Sequence, residues 1–305
     1  MLTSAWQELI GEGATIAPFI LATDETHLTT LSGSKVAWPV YASIGNIPKA
    51  IRRRPSEQAM MLIGLIPVAK LEWILDKTVR ERKRWELYHA SMALILEPLK
   101  VAARDGVEMK CADGGVRRVY PILAAHLGDW PEHATVGSTF KSRCPVCVVP
   151  FHERGSWGAP ARLRTKAQTI DTIRAGRTGS IATMVGLKGL GLRPVLPYWS
   201  EHPWAAGPAS IVPDLLHQLW KGVYLDHIRR WLTHIIGERA IDARYMGLPR
   251  YTGQQHFPLG LSVLTQWQGN EARATAGSFL GVVAGSRVRE AVQAARCVMD
   301  FLYHA

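Results

Sequence analysis

Residues 17–24, APFILATD, form an apolar run that ends on a threonine and an aspartate. A short continuous apolar run bounded by polar residues is typical of a buried strand. Asp24 follows this strand, and Asp129 follows a second predicted strand over residues 118–127. Burying a carboxylate without a cation or hydrogen-bond donors is costly. Each acid therefore either caps a turn or, together with the other, binds a cation.

The order of the predicted elements indicates an α/β layered fold, because a strand-rich first half precedes a helical second half. We divide the chain into residues 1–140, the first part of a core; residues 141–210, a zinc-binding and basic insertion; and residues 211–305, the helical C-terminal part of that core. The patterns further predict strands over residues 26–31, 36–44 and 59–68, a turn at Gly33, an amphipathic stretch over 76–104, and helices over about 165–175, 213–236, 269–284 and 287–303.

The composition favours a protein that binds a polyanion. The 305 residues are 47% hydrophobic, enough for one large domain or two medium ones. Lys and Arg total 36 against 25 Asp and Glu, a net charge of +11 that suits nucleic acid but also a solvated basic surface. The longest apolar run, residues 59–69, is too short to cross a bilayer, and the N-terminus lacks a signal-peptide core. We expect an intracellular chain with no membrane partner.

Three acidic residues are candidate ligands of a hard cation. Asp24 and Asp129 follow strands, and Glu271 stands in the first turn of a predicted helix, where negative charge is favoured in any case. Carboxylate oxygens suit Mg²⁺ or Mn²⁺. Two such ions about 4 Å apart activate water or a 3′-hydroxyl in phosphodiester chemistry and stabilise the leaving oxygen.

A pair of cysteines predicts a second metal site. Cys144 and Cys147 form a CPVC motif, and a CxxC turn places two thiolates on one Zn²⁺. Because one such turn supplies half of a tetrahedral site, His152 and His217 are candidates for the remaining ligands. A redox pair is the competing interpretation, but no thioredoxin-like βαβ pattern surrounds the motif.

Asp214 and His217 lie three residues apart on a predicted helix and so share one face. The simpler interpretation makes Asp214 a helix cap and His217 a hydrogen-bonded core residue. Basic clusters that could bind phosphates occur at Arg52-Arg53-Arg54, Arg117-Arg118, residues 80–84 and residues 162–166, although each alone is typical of a solvated face.

Several long segments, in collinear order, resemble the Plavaka family of fungal transposases, which is related to the CACTA (En/Spm) group. They cover most of the chain from about residue 17 onward. The segments are PFILATDETHLTTLSGSKVAWPVYASIGNIPKAIRRRPS, DGVEMKCADGGVRRVYPILAAHLGDWPEH, CPVC, PDLLHQLWKGVYLDH, LTQWQGNE and MDFLYHA.

The resemblance implies an RNase H-like fold, a mixed sheet flanked by helices, with a DDE/D metal triad. It assigns the catalytic positions to Asp24, Asp129 and Glu271, with Asp113 as the rival for the second acid. Asp214 and His217 match a DxxH motif that would support the active site or complete the zinc site. The implied partners are transposon ends and target DNA, and the implied location is the nucleus. A homo-oligomer is a further expectation, and the chain is expected to be a shortened copy.

A rival interpretation belongs to another class. A decayed copy would be a DNA- or protein-binding module with structural zinc and no cleavage activity. It predicts DNA binding that does not depend on divalent metal. A hydrolase of another kind finds no support, since the sequence has no GxSxG elbow, P-loop or HExxH motif.

Overall fold

The computed structural model describes residues 2–11, 13–27, 36–156, 158, 161–265, 267 and 269–304. The chain divides into two compact units, Met1–Pro213 and Asp214–Ala305. The predicted turn at Gly33 and residues 28–31 of the strand predicted over residues 26–31 lie outside the described residues. The three-part division made from the sequence stays a prediction.

The first unit contains a mixed sheet. Its strands are β1 Thr15–Thr23, β2 Thr26–His27, β3 Val36–Ile44, β4 Met61–Ile66, β5 Val107–Lys110, β6 Val116–Gly128 and β7 Ile211–Pro213. Antiparallel pairing joins β4 to β3 and β3 to β1, whereas β1, β6 and β7 run parallel to one another. Strand β5 forms an antiparallel hairpin with the start of β6. The predicted α/β class with a mixed sheet flanked by helices is confirmed.

Helices of the first unit connect and cover this sheet. They are α1 Leu2–Ile10, α2 Lys49–Arg52, α3 Lys77–Ile95, α4 Glu97–Asp105, α5 Trp130–Val136, α6 Lys166–Gly176 and α7 Ile181–Gly189. The amphipathic stretch over residues 76–104 is two helices, because Pro98 sits in the first turn of α4 and ends the preceding hydrogen-bond pattern. The helix predicted near residues 165–175 is α6, capped by the Thr165 side chain.

Alternation along β1 explains why both faces of the sheet are covered. Leu21 points into a core formed with Tyr88 and Met92 of α3, and all three are at most 1% exposed. Ile16 lies five residues before Leu21, so its side chain points to the opposite face of the sheet, where it packs with Trp6 of α1. Helices therefore pack on both faces of β1, and the sheet is a central layer of the first unit.

The second unit is helical. It consists of a π-helix over Leu216–Arg229, then α8 Arg230–Ile236, α9 Glu238–Met246, α10 Gly269–Val283 and α11 Arg289–His304. Its core is built around Tyr224, Tyr245 and Phe279, each fully buried. The predicted final pair of helices is confirmed as α10 and α11. The sequence places Pro213 in the first turn of a helix, but it closes β7 instead, and Asp214 caps the helix by accepting a hydrogen bond from the Leu216 amide at 2.8 Å.

Candidate active site

A cavity of about 490 Å³ opens at the carboxyl edge of the sheet, and Asp24 and Asp129 both line it. Strands β1 and β6 are neighbours and parallel, so their carboxyl ends meet at the same edge. The structure thus brings together two of the acids that the sequence indicates. Glu25, Glu81 and Glu132 add further carboxylates to the lining, and Arg84 and Lys141 add cations.

Asp24 occupies an interruption between two strands that share one register. Thr23 pairs with Val40 and Thr26 with Ala37, so the antiparallel alignment with β3 continues unchanged across the interruption. The same register places Asp24 opposite Pro39, which has no amide hydrogen to give to a ladder. Asp24 therefore stands outside the hydrogen-bonded strand pairing with its side chain exposed. A carboxylate in this position is accessible to a ligand in the cavity.

Asp129 begins helix α5. Its Oδ1 accepts a hydrogen bond from the Glu132 backbone amide at 2.8 Å, and Trp130 and Pro131 follow in the first turn. The capping interpretation of Asp129 is therefore confirmed. A cap of this kind uses one carboxylate oxygen, and it holds the side chain at the cavity wall in a defined orientation.

Glu132 is a buried carboxylate that lines the same cavity as these two acids. It is 5% exposed, and its Oε1 accepts hydrogen bonds from the Tyr88 hydroxyl at 2.8 Å, from Trp38 Nε1 at 3.3 Å and from the Thr23 hydroxyl. Burial raises the pKa of Glu132 to about 7, although the hydrogen bonds from Thr23 and Tyr88 act in the opposite direction. The sequence patterns do not single out this buried acid or its set of donors.

Behind Glu132 lies a chain of buried polar side chains. His126 Nε2 is 2.8 Å from the Thr23 hydroxyl, and His126 Nδ1 is 2.5 Å from the Tyr198 hydroxyl. Burial lowers the pKa of His126 to about 3, so its ring is neutral near pH 7 and its 3.9 Å approach to Glu132 is not an ion pair. His89 accepts a hydrogen bond from the Tyr198 amide, and burial lowers its pKa to about 3 as well.

The rival acid Asp113 lies far from this cavity. It stands in the turn before β6, whereas Asp129 follows the last residue of that strand, about 40 Å of extended chain away at roughly 3.3 Å per residue. Both Asp113 oxygens pair with the Arg117 guanidinium, which holds the pKa of the Asp113 carboxyl well below its usual range. Asp113 is therefore a turn residue of the β5–β6 hairpin.

Glu271 lies in the first turn of α10, as predicted, within the second unit. Across the described part of the chain, no group of three or more His, Cys, Asp or Glu side chains is arranged as a metal site. Within the first unit, Asp24 and Asp129 are the two predicted acids that line the cavity. Their oxygen donors fit Mg²⁺ or Mn²⁺ in kind.

The two cysteines form a folded turn. The Cys147 amide donates to Cys144 Sγ at 3.4 Å, and the turn pairs with residues 162–164 through the Arg164 amide and the Val146 carbonyl. Buried Arg164 also donates from Nε to the Cys144 carbonyl at 3.0 Å. Among the described residues no third ligand joins the thiols. The residues present thus supply half of a zinc site, and zinc stays a prediction.

The predicted supporting residues lie in varied settings. His152 is 78% exposed and lies 3.3 Å from the Glu153 carboxylate. His217 Nδ1 is hydrogen-bonded to the Asp214 carboxylate, so the DxxH motif is a local pair in the second unit. In the first basic cluster, Arg53 and Arg54 are exposed and Arg52 is partly buried.

Three of the five arginines predicted to bind phosphate are already in ion pairs, and an Arg54 nitrogen lies 3.9 Å from Glu57. Arg117 is held by Asp113, and an Arg118 nitrogen lies 3.6 Å from Glu108. Arg84, which belongs to a basic segment that the sequence indicates, lines the acidic cavity together with Lys141, which lies outside those segments. The cations closest to the candidate active site are therefore on α3 and on the loop after α5.

The fold and the cavity define an α/β protein with an acid-lined cleft at the carboxyl ends of neighbouring parallel strands. The family model of the Plavaka transposases matches residues 2–232, which include both cleft acids, the CPVC turn and the DxxH pair. The chain belongs to the Plavaka transposase family. A search of the curated proteins finds no match. In the described part of the chain, no helix has the length and apolar character needed to cross a bilayer.

Proposed function

We propose that this chain is the catalytic region of a DNA transposase that cuts phosphodiester bonds at the ends of its element and joins them to target DNA. The observation that carries the proposal is the placement of Asp24 and Asp129 on one cavity at the ends of neighbouring parallel strands. Membership of the Plavaka transposase family supports DNA as the substrate. The nucleus is the corresponding place of action.

The strand arrangement supports an RNase H-like fold for the core. That fold carries its first acid on the first strand and its second acid near the end of the fourth. Here Asp24 follows β1, and Asp129 follows β6, which is the fourth of the long strands β1, β3, β4 and β6. Glu271, on the later helix α10, is the proposed third acid.

The residues of the cleft have distinct roles in this reaction. Asp24 and Asp129 would hold Mg²⁺ or Mn²⁺ through their carboxylate oxygens. The bound ion would lower the pKa of a water or a 3′-hydroxyl and stabilise the leaving oxygen. Arg84 and Lys141 would bind phosphates of the DNA backbone beside the acids, which gives an affinity that falls with salt.

Cleavage of terminal-repeat DNA in the presence of Mn²⁺ tests the proposal. Wild-type protein is expected to nick the DNA, and Asp24→Asn and Asp129→Asn are expected to lower the rate by at least about a hundredfold, a loss of at least about 2.7 kcal/mol of transition-state stabilisation. Asn at position 129 still caps α5, so loss of activity there separates the ligand role from the cap.

Asp113→Asn is the matched control, because Asp113 is an exposed acid at the other end of β6. It is expected to keep wild-type activity. Equal nicking by wild type and Asp24→Asn would remove Asp24 from the mechanism. DNA binding without metal dependence, and without cleavage by the wild type, would instead identify a non-catalytic DNA-binding remnant.

A further inference from the structure

We propose that Glu132 is a positioning residue that fixes Asp24 and Asp129 relative to each other. This inference rests on the proposed function, in which those two acids act together. It goes beyond that function because it assigns a structural role to a residue that does not need to touch metal or DNA. The backbone amide of Glu132 contacts Asp129, and its side chain contacts Thr23, the residue before Asp24. A buried hydrogen-bond network orients the second contact.

The link to Asp129 is made by the backbone of Glu132. The Glu132 amide donates to Asp129 Oδ1 at 2.8 Å, within the first turn of α5. Any movement of the Glu132 backbone therefore moves the donor that orients the Asp129 carboxylate. The side chain of Glu132 anchors this turn to the core through the Tyr88 hydroxyl of α3.

The link to Asp24 is made by the side chain of Glu132. Its Oε1 accepts a hydrogen bond from Thr23, the residue before Asp24, which is 3% exposed. The same oxygen accepts from Trp38 Nε1 at 3.3 Å, and the register places Trp38 opposite Glu25. One carboxylate thus joins the helix that begins at Asp129 to β1, which ends just before Asp24, and to β3, which pairs with β1.

Close packing brings the two segments within reach. A Cβ added to Gly128 would lie 2.7 Å from Glu132 Cγ and 3.7 Å from the Thr23 carbonyl oxygen. Only a residue without a side chain leaves room for Glu132 between the ends of β1 and β6. The glycine that precedes Asp129 is therefore part of the same arrangement.

The hydrogen bonds on the far side of Thr23 give its hydroxyl a fixed direction. Since Thr23 donates to Glu132, it accepts from His126 Nε2, and His126 Nδ1 then accepts from the Tyr198 hydroxyl. This sequence of donors runs in one direction from Tyr198 to Glu132. A directed network of this kind holds its members in one arrangement, because each buried group has a partner.

Mn²⁺ binding to the whole chain, followed by electron paramagnetic resonance of the free ion, tests the role of Glu132. Thr23→Val keeps the shape of Thr23 but removes its hydroxyl. It is expected to weaken Mn²⁺ binding by roughly 10- to 100-fold, the loss of affinity that is typical when a group that orients a metal ligand is removed. Thr23→Ser and Glu132→Gln, which keep the hydrogen bonds, are expected to stay within about tenfold of wild type.

Met92→Ala is the control for general loss of stability. Met92 is fully buried in the same core, one turn after Tyr88 on α3, and forms no hydrogen bond with Glu132. It is expected to lower the melting temperature without changing Mn²⁺ affinity. Mn²⁺ binding by Thr23→Val equal to that of wild type would overturn the proposal, and so would an equal loss in Met92→Ala.

Hydrogen exchange in metal-free protein tests the link separately from the proposed function. In Thr23→Val, amides of residues 21–26 and 130–136 are expected to exchange two- to tenfold faster together, the equivalent of one hydrogen bond of about 0.5–1.5 kcal/mol. Faster exchange confined to residues 21–26 would overturn the proposal. Absence of Mn²⁺ binding by the wild type would reject the proposed function, and the exchange result alone would then decide whether Glu132 joins the two segments.

Discussion

The neutral state of His89 leads to a prediction about acid stability. His89 is 4% exposed; its Nδ1 accepts from the Tyr198 amide at 3.2 Å, and its Nε2 lies 3.0 Å from the Ser138 hydroxyl. A proton on Nδ1 would break the bond to Tyr198, and burial lowers the pKa of His89 to about 3. The folded state therefore binds this proton far more weakly than the unfolded chain, where the pKa of histidine is about 6.5.

The sign and size of the effect follow from this difference. The stability that neutral His89 contributes is fully present above about pH 6.5 and is lost as the pH falls toward 3. At pH 5, about 1.5 pH units below the unfolded pKa, the loss is about 2 kcal/mol at 1.36 kcal/mol per unit. His89→Gln does not titrate, and its amide can still accept from Tyr198 and donate to Ser138.

Urea unfolding followed by tryptophan fluorescence at pH 7.5 and pH 5.0 measures this loss. The drop in unfolding free energy between the two pH values is expected to be about 2 kcal/mol smaller in His89→Gln than in wild type. Glu132, whose raised pKa acts in the opposite direction, and His126 are present in both proteins, so their contributions cancel in the comparison. Exposed His152 supplies the control His152→Gln, which should keep the wild-type drop. Equal drops in wild type and His89→Gln would refute a neutral buried His89.

Two further predictions concern the cleft. Filter binding at several salt concentrations tests the role of Arg84 and Lys141. Replacing both by Ala should lower the slope of log K against log salt by about 0.9 for each DNA phosphate that is no longer neutralised. Arg117→Ala with Arg118→Ala should change the slope less, because both arginines are in ion pairs, and an equal change of slope in the two double variants would contradict the assignment. Gly128→Ala should lower the free energy of unfolding by about 1–3 kcal/mol, since the added Cβ would lie 2.7 Å from Glu132. Gly186→Ala, within helix α7 and with open space around it, should be neutral or stabilising, and a similar loss in both variants by urea unfolding would argue against packing at Gly128 as the cause.

Much of the sheet could be predicted because its strands carry local signals. The apolar run before Asp24 and the residues before Asp129 are strands, and β3 has the bounds expected from the sequence. Whether the two strands are neighbours depends on pairing across about a hundred residues, which no local pattern encodes. The sequence suggests both acids, and only the fold brings them to one cavity.

Other features could not be predicted because they depend on partners distant in the chain. From its position in DWPEH, Glu132 is expected to be an ordinary acidic residue in the first turn of a helix. Its role depends on hydrogen-bond donors that lie 44, 94 and 109 residues away in the chain. Strand β7 has three residues and forms only by pairing with β6. For that reason the local pattern places Pro213 in a helix. A Glu three residues after a capping Asp is the one local signal for Glu132, and that spacing is common at helix starts.

The capping role of Asp129 and its proposed role as a ligand support each other. A free side chain loses rotamer entropy when a ligand fixes it, and the hydrogen bond from the Glu132 amide has already fixed Asp129 in the folded protein. That bond uses Oδ1, and a carboxylate has a second oxygen for a cation. The buried carboxylate of Glu132 adds further negative potential beside the cleft when it is ionised, and its hydrogen bonds to Thr23 and Tyr88 favour the ionised form against burial. A hard cation in the cleft would favour ionisation further, so binding of the cation and ionisation of Glu132 would reinforce each other.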